Sequence, residues 1–151
     1  MDADLYMKRS SIYEDRENIV AAIEDDSKAI ALSPSDSSAL NSRCWHRALH
    51  GSDLGAALED CSAAIALKND FADALDSRGL VNLKLGRIEA ALADYGAAAG
   101  IDPNHASYLY GRGVAKLKSG DREAGMRDMQ RATAADPSIA AAYRKYGIVL
   151  D

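Results

Sequence analysis

The chain contains one constellation of side chains that could bind a metal ion. His46 and His50 are four residues apart, so on a helix both rings would lie on one face, with Cys44 or Asp53 near in sequence. A clear third ligand is lacking, and His50 falls near a helix C-terminus, where a cationic ring is favoured in any case. We therefore expect no metal site. No phosphate loop, nucleophile elbow or paired-carboxylate cleft is present, so we expect no other cofactor either.

Arginine and aspartate residues recur at regular intervals and could be taken singly for anion ligands or catalytic acids. Each recurs four times in step along the chain: Arg9, Arg43, Arg78 and Arg112, and Asp25, Asp60, Asp94 and Asp128. Such recurrence indicates structure instead of catalysis. We predict a ladder of Arg–Asp ion pairs between helices, in which guanidinium groups satisfy partly buried carboxylates, and a protein that is not an enzyme.

The two cysteines are too few for a disulfide scaffold, and they lack the close spacing of a metal site. We expect Cys44 and Cys61 to be reduced thiols that act as small core residues.

The elements that position these residues follow from an internal repeat. Leu75, Arg78-Gly79 and Asp102-Pro103 recur 34 residues later as Leu109, Arg112-Gly113 and Asp136-Pro137. Upstream, the spacing is 35 because one extra residue follows Gly51. Four repeats and a remnant cover almost the whole chain.

Within each repeat, apolar residues follow helical spacing in two runs that a central turn separates. The composition agrees, since Ala and Leu are frequent while Phe and Trp occur once each. The pattern predicts an all-α protein with helices near residues 3–14, 18–32, 37–49, 53–67, 71–84, 88–100, 105–118, 121–134 and 138–150.

These residues resemble the tetratricopeptide repeat, a 34-residue helix hairpin with small residues where its helices approach most closely. Gly79, Ala91 and Ala98 fill those positions in the third unit, and Pro103 fills the terminal proline position. The resemblance implies a single domain over 1–151, a right-handed superhelical solenoid of antiparallel hairpins. Its units are 3–36, 37–71, 72–105 and 106–139, followed by a capping helix at 140–151.

The chain departs from the family pattern at several positions. Leu75 and Leu109 replace a large aromatic residue, Asn82 and Lys116 replace a later tyrosine, and Glu17 stands where the first turn would have glycine. The first hairpin is therefore the least regular.

The resemblance also implies a concave groove lined by the first helix of each unit. The corresponding positions are Asn41, Trp45, Leu49, Asp76, Leu80, Lys84, Tyr110, Val114 and Lys118, with Met7, Ser11, Ser42, Ser77, Arg144 and Lys145 beside them. Trp45 could instead fill the seam between hairpins, as a lone tryptophan often does.

This lining predicts an adaptor that binds a protein or peptide with apolar side chains and an acidic group. A chaperone C-terminal tail is disfavoured, because the positions that grip its carboxylate in the family carry no cation or amide here. Those positions are Met7, Ser11, Ser42, Asp73 and Ser77. The alternative is a module for oligomerisation, such as a homodimer, or for regulation within a larger assembly.

Composition limits the other partners. The net charge is -5 and no cluster of Lys or Arg stands out, which argues against nucleic acid. The chain has no apolar run long enough to cross a bilayer and starts without the pattern of a signal peptide, so we expect a cytoplasmic protein without membrane contact. A chain that has lost its signal peptide would look the same.

Overall fold

The computed structural model describes residues 1–150, which form nine α-helices and no strand. The helices are α1 (Ala3–Asp15), α2 (Ile19–Leu32), α3 (Ser37–His50), α4 (Leu54–Leu67), α5 (Ala72–Lys84), α6 (Ile88–Ile101), α7 (Ala106–Ser119), α8 (Arg122–Ala135) and α9 (Ile139–Lys145). Each of the first eight helices packs against the next, and the odd-numbered helices also touch one another. The all-α solenoid of stacked hairpins is confirmed. Asp151, the last residue of the predicted cap, lies outside the described residues.

The last helix is shorter than predicted. The apolar pattern extends to Leu150, but α9 ends at Lys145 because Gly147 adopts a left-handed φ of 87°. The backbone N–H of Ile148 then bonds to the carbonyl of Tyr143, which closes the helix in the manner of a glycine C-cap. The prediction of a helix over 138–150 is wrong for its final turn. Gly147 occupies the repeat position of Gly79 and Gly113, which lie within α5 and α7, but here the glycine ends the helix.

The turn inside each hairpin requires a left-handed residue. Gly51, Gly86 and Gly120 have φ values of 76°, 72° and 97° in the second to fourth hairpins, and Glu17 has a φ of 59° in the first. A side chain in this region costs about 1 kcal/mol relative to glycine. The turn of the first hairpin therefore has the same left-handed geometry as the other turns, but with a higher conformational free energy at Glu17.

Four Arg–Asp pairs join the two helices of the four hairpins, which confirms the predicted ladder. Each guanidinium group binds both oxygens of its carboxylate, with donor–acceptor distances between 2.5 and 2.9 Å. The four aspartates are at most 5% exposed. Such bidentate pairs fix the relative position of two helices because their planar groups must align.

Each ladder aspartate also accepts a bond from one further donor. That donor is Arg47 for Asp60, Asn82 for Asp94 and Lys116 for Asp128, in each case four residues after the ladder arginine; in the first hairpin it is Lys28 for Asp25. The residues that replace the family tyrosine thus have a structural role. They complete the hydrogen bonding of a nearly buried carboxylate.

We expect Arg78→Met to lower the free energy of unfolding by about 2–3 kcal/mol, because the nearly buried Asp94 carboxylate would lose its main partner. The figure allows for the 27% exposure of the Arg78 side chain. Urea denaturation followed by circular dichroism measures the change. Arg127→Ala is the matched control, since its bridge to Glu123 is exposed and should contribute under about 0.5 kcal/mol. Equal loss in both variants would contradict a stabilising ladder.

The residues that follow each ladder pair face one another across the hairpin. They are Ser10 and Asp26, Cys44 and Cys61, Gly79 and Tyr95, and Gly113 and Met129. At Gly79, an added Cβ would lie 2.7 Å from the Tyr95 ring, and at Gly113 it would lie 2.6 Å from Met129. These positions form the closest seam of each hairpin.

In the second hairpin, this seam contains a disulfide bond between Cys44 and Cys61, whose Cα atoms are 5.4 Å apart. The expectation of reduced thiols is therefore wrong. The two cysteines have the same 17-residue separation as Arg43 and Asp60, which precede them. Two residues that directly follow the members of an interhelical ion pair also face each other across the two helices, at a Cα separation suited to a disulfide. The shared 17-residue separation in the sequence could therefore have predicted this bond.

Reduction should lower the free energy of unfolding by about 3 kcal/mol, because the bond closes a loop of about 17 residues. Denaturation with and without a phosphine reductant measures the difference. A Cys44→Ala/Cys61→Ala variant should show no response to the reductant. Two thiols that react in the unfolded, unreduced protein would rule out the bond.

Candidate functional site

The first helices of the four hairpins, α1, α3, α5 and α7, form what we call the inner wall. Helix α9 contacts α7 and α8 of the last hairpin, but its C-terminal end reaches the opposite end of the solenoid. The Tyr146 ring meets Trp45 edge-on at 5.0 Å, and the Lys145 ammonium group lies 2.5 Å from the Glu17 carboxylate. Because these contacts span the hairpins, α9 lies across the groove that the inner wall encloses.

Tyr143 anchors α9 to the inner wall. Its side chain is 2% exposed, and its ring lies 4.8 Å from that of Tyr110 on α7. The hydroxyl group donates to the Ser107 carbonyl at 2.8 Å and lies 3.3 Å from the Tyr95 hydroxyl. Burial raises the pKa of Tyr143 well above its usual value, so the phenol stays neutral and can donate.

The residues predicted to line the groove occupy three environments. Leu80, Tyr110 and Val114 are buried in the same core cluster as Tyr143 and Ile148. Asn41, Trp45, Leu49, Asp76 and Lys84 are half-buried, and Lys118 is exposed. Lys84 donates to the Ala48 carbonyl at 2.5 Å, and burial lowers its pKa. Three of these nine residues thus belong to the core beneath α9 and the segment after it, and of the other six only Leu49 lines the open cleft beside α9.

Two polar groups of this face are in unusual electrostatic surroundings. Burial raises the pKa of Asp76 to about 7, although the Ser107 hydroxyl donates to this carboxylate. The side-chain oxygen of Asn41 is buried and accepts no hydrogen bond from any other described residue.

His46 joins the first two hairpins from behind this face. The ring is 1% exposed; Nδ1 lies 2.6 Å from Asp26, and Nε2 lies 3.2 Å from Glu14. Burial opposes protonation, but the hydrogen bonds with Asp26 and Glu14 outweigh it and raise the pKa of His46 to about 9. The imidazolium hydrogen bond in turn lowers the pKa of Glu14, which also accepts from the Trp45 indole at 2.8 Å.

The stability of the protein should therefore fall as the pH rises from about 6.5 to above 9. The folded-state pKa of His46 lies above the value of about 6.5 for an unfolded histidine. The stabilisation that protonated His46 gives is therefore complete below pH 6.5 and is lost as the pH rises from 6.5 to above 9. We expect a loss on the order of 3 kcal/mol, measured by urea denaturation across this range. His46→Gln should remove most of this pH dependence. A wild-type profile as flat as that of the variant would contradict a buried imidazolium.

The residues considered for a metal site do not converge. Cys44 is bonded to Cys61, both ring nitrogens of His46 face carboxylates, and His50 pairs with Ser52 at 2.5 Å. Within residues 1–150, no group of three His, Cys, Asp or Glu side chains is arranged to hold a metal ion. In the same range, no helix combines the length and apolarity that crossing a bilayer requires.

An open cleft of about 530 Å³ remains between α9 and the first hairpin. We call it the acidic cleft, because three carboxylates stand along it. Its lining consists of Glu14, Asp15, Glu17, Ile19, Leu49, Ala142, Lys145 and Tyr146. A helix end with a positive charge and an apolar side is complementary to this lining.

Sequence reasoning did not assign Glu14, Glu17, Tyr143 or Tyr146 to this site. The repeat pattern places both tyrosines on the face that a first helix turns towards its neighbours. That signal was present, but it did not show that α9 would cross to the first hairpin. The position of Glu17 in a turn carried no signal of its contact with Lys145, 128 residues away.

Comparisons with known proteins agree with this architecture. Residues 72–105 match the family model described as tetratricopeptide repeat. These residues are the third unit inferred from the internal repeat. No curated protein matches the chain.

Solved structures with the same fold cover nearly the whole chain. TTC0263, a thermophilic TPR protein in Thermus thermophilus, aligns with 96% of this chain and 83% of its own, at 18% identity and a TM-score of 0.83. MamA aligns with 92% of this chain and 81% of its own, at 23% identity and a TM-score of 0.75. YrrB, described as a TPR protein with an unusual peptide-binding site, aligns with 97% of this chain and 75% of its own, at 20% identity and a TM-score of 0.72.

Proposed function

Because this chain is a tetratricopeptide-repeat protein, we propose that it is a non-catalytic adaptor that binds a peptide or a protein segment in the groove of its inner wall. The observation that carries the proposal is the acidic cleft, an open concave space next to half-buried Trp45 and Leu49. Concave sites with an apolar floor and a few polar groups are typical of peptide recognition. The carboxylates and Lys145 along the cleft supply such polar groups.

The charged residues support a binding role over a catalytic one. The buried ladder aspartates are each held by two donors, and His46 is held between two carboxylates. Ionisable groups that satisfy one another in this way stabilise structure and are not themselves free to act as general bases. The peptide-binding site named for YrrB supports a similar use of the fold here.

The occupant of the groove should differ from the acidic chaperone tail that other members of the family grip. Asp73 accepts a hydrogen bond from the Tyr108 hydroxyl at 2.6 Å, and the Ser77 hydroxyl donates to the Asp73 carbonyl at 2.9 Å. Neither group is available to hold a carboxylate. The carboxylates of the acidic cleft also repel an anion, so we propose a segment with positive charge in place of the acidic group expected from the sequence.

The alternative of an oligomerisation module has support in a row of exposed apolar side chains at the ends of α2, α4 and α6: Leu32, Leu67 and Ile101. For the location, we propose an oxidising compartment in place of the cytoplasm expected from the sequence, because structural disulfides persist mainly in such compartments.

Leu49→Arg should weaken the binding of groove ligands at least about tenfold, because it places a charge on the apolar floor of the cleft. The ligands would be peptides selected on the wild-type chain from a random display library, with affinities measured by calorimetry. Arg127→Ala, at an exposed position of α8, is the matched control and should bind as the wild type does. If both variants bind the selected peptides equally well, the groove is not the binding site.

A further inference from the structure

Helix α9 presents one chemically distinct side to the inner wall. Tyr143 and Tyr146 are three residues apart, so both rings project from one side of the helix, and Lys145 lies between them in sequence. Tyr143 reaches into the core, Tyr146 packs on Trp45, and Lys145 pairs with Glu17. These three contacts hold α9 against the inner wall and the first hairpin.

The C-terminal end of α9 is held less firmly than its middle. The Lys145 and Glu17 side chains are 69% and 72% exposed, so their ion pair is screened by solvent. Tyr146 is only half-buried, whereas Tyr143 is enclosed. The helix spans seven residues and is stable only through its tertiary contacts. Release of this end would therefore expose Trp45 and the floor of the groove.

The helix also leaves part of the groove unfilled. Ala142 is a small side chain of α9 that lines the acidic cleft, and Leu49 lines the same space. Glu14 and Asp15 stand along the same cleft, whereas the only cation in its lining is Lys145. A helix with a larger apolar residue at the position of Ala142, or with a second cation, would complement the groove better than α9 does.

We propose that the groove is a receptor for a short helix bearing two tyrosines one turn apart with a basic residue between them, and that α9 is its resident occupant, which a partner of this kind displaces. This inference rests on the proposed function, because it names the ligand of the same groove. The intramolecular helix has an effective concentration of roughly millimolar, so α9 competes with any ligand for the groove. Weak ligands are therefore excluded, and only partners that bind more tightly than α9 can displace it.

Trp45 provides a direct measurement, since it is the only tryptophan and it contacts Tyr146. In the full chain, Tyr146→Ala should shift the emission of Trp45 to longer wavelength, because the indole becomes more exposed. A labelled peptide of residues 137–150 should bind this variant saturably and reverse the shift, with an affinity at least about tenfold higher than for the wild-type chain. Arg127→Ala should behave as the wild type.

Changes in the peptide test the recognition chemistry. The peptide with Ala142→Leu should bind the Tyr146→Ala chain about tenfold more tightly, because it fills the acidic cleft. The peptide with Lys145→Glu should bind more weakly, and its affinity should depend less on salt. The peptide with both tyrosines changed to Ala should not bind.

Three results would overturn the inference. The first is a wild-type chain that binds the peptide as tightly as the Tyr146→Ala chain does. The second is a Tyr146→Ala chain that retains its helical circular dichroism but does not bind the peptide. The third is a Trp45 emission unchanged by Tyr146→Ala and by a second variant, Lys145→Glu, whose exposed position spares the fold.

The proposed function can fail separately. Library peptides that bind in a manner sensitive to Leu49→Arg, together with no binding of the 137–150 peptide, would keep the adaptor function and reject α9 as its occupant. Absence of both kinds of binding would reject the adaptor function as well.

Discussion

The bidentate Arg–Asp pair is the interaction on which the rest of the structure depends. It sets the two helices of each hairpin at a constant offset, so the residue after each arginine always faces the residue after its aspartate. Small or complementary groups must therefore occupy that seam, as in Gly79 with Tyr95. Because the offset is the same in every hairpin, the units stack regularly and their first helices together form one concave wall.

The same seam is filled by different chemistry in each unit. A disulfide occupies it in the second hairpin, and aromatic packing on glycine occupies it in the third. In the first hairpin, Asp26 occupies it and pairs with His46 of the next unit. Stability is therefore distributed unevenly along the solenoid, with a protonated histidine joining the irregular first hairpin to the cross-linked second one. This end of the solenoid also forms one side of the acidic cleft. Glu14 both pairs with His46 and lines the cleft, so the charge of His46 affects the charge of the groove.

The position of α9 determines how much of the groove is open to a partner. An open concave wall would offer all of its lining to a partner, whereas here Tyr110 and Val114 are buried in one cluster with Tyr143. Binding would then be an exchange of one helix for another, and affinity would depend on the difference between two similar sets of contacts. The acidic cleft beside Ala142 indicates where a partner could gain that difference.

The repeat alone determined the helices, the hairpins and the ladder, because the ladder pairs lie 16 residues apart in three hairpins and 17 apart in the second. It also contained the Cys44–Cys61 pairing, through the separation shared with Arg43 and Asp60. The path of α9 depended on the tertiary structure. Contacts such as Lys145 with Glu17 join the ends of the chain, and whether those ends meet is decided by the accumulated curvature of four hairpins, which no local pattern encodes.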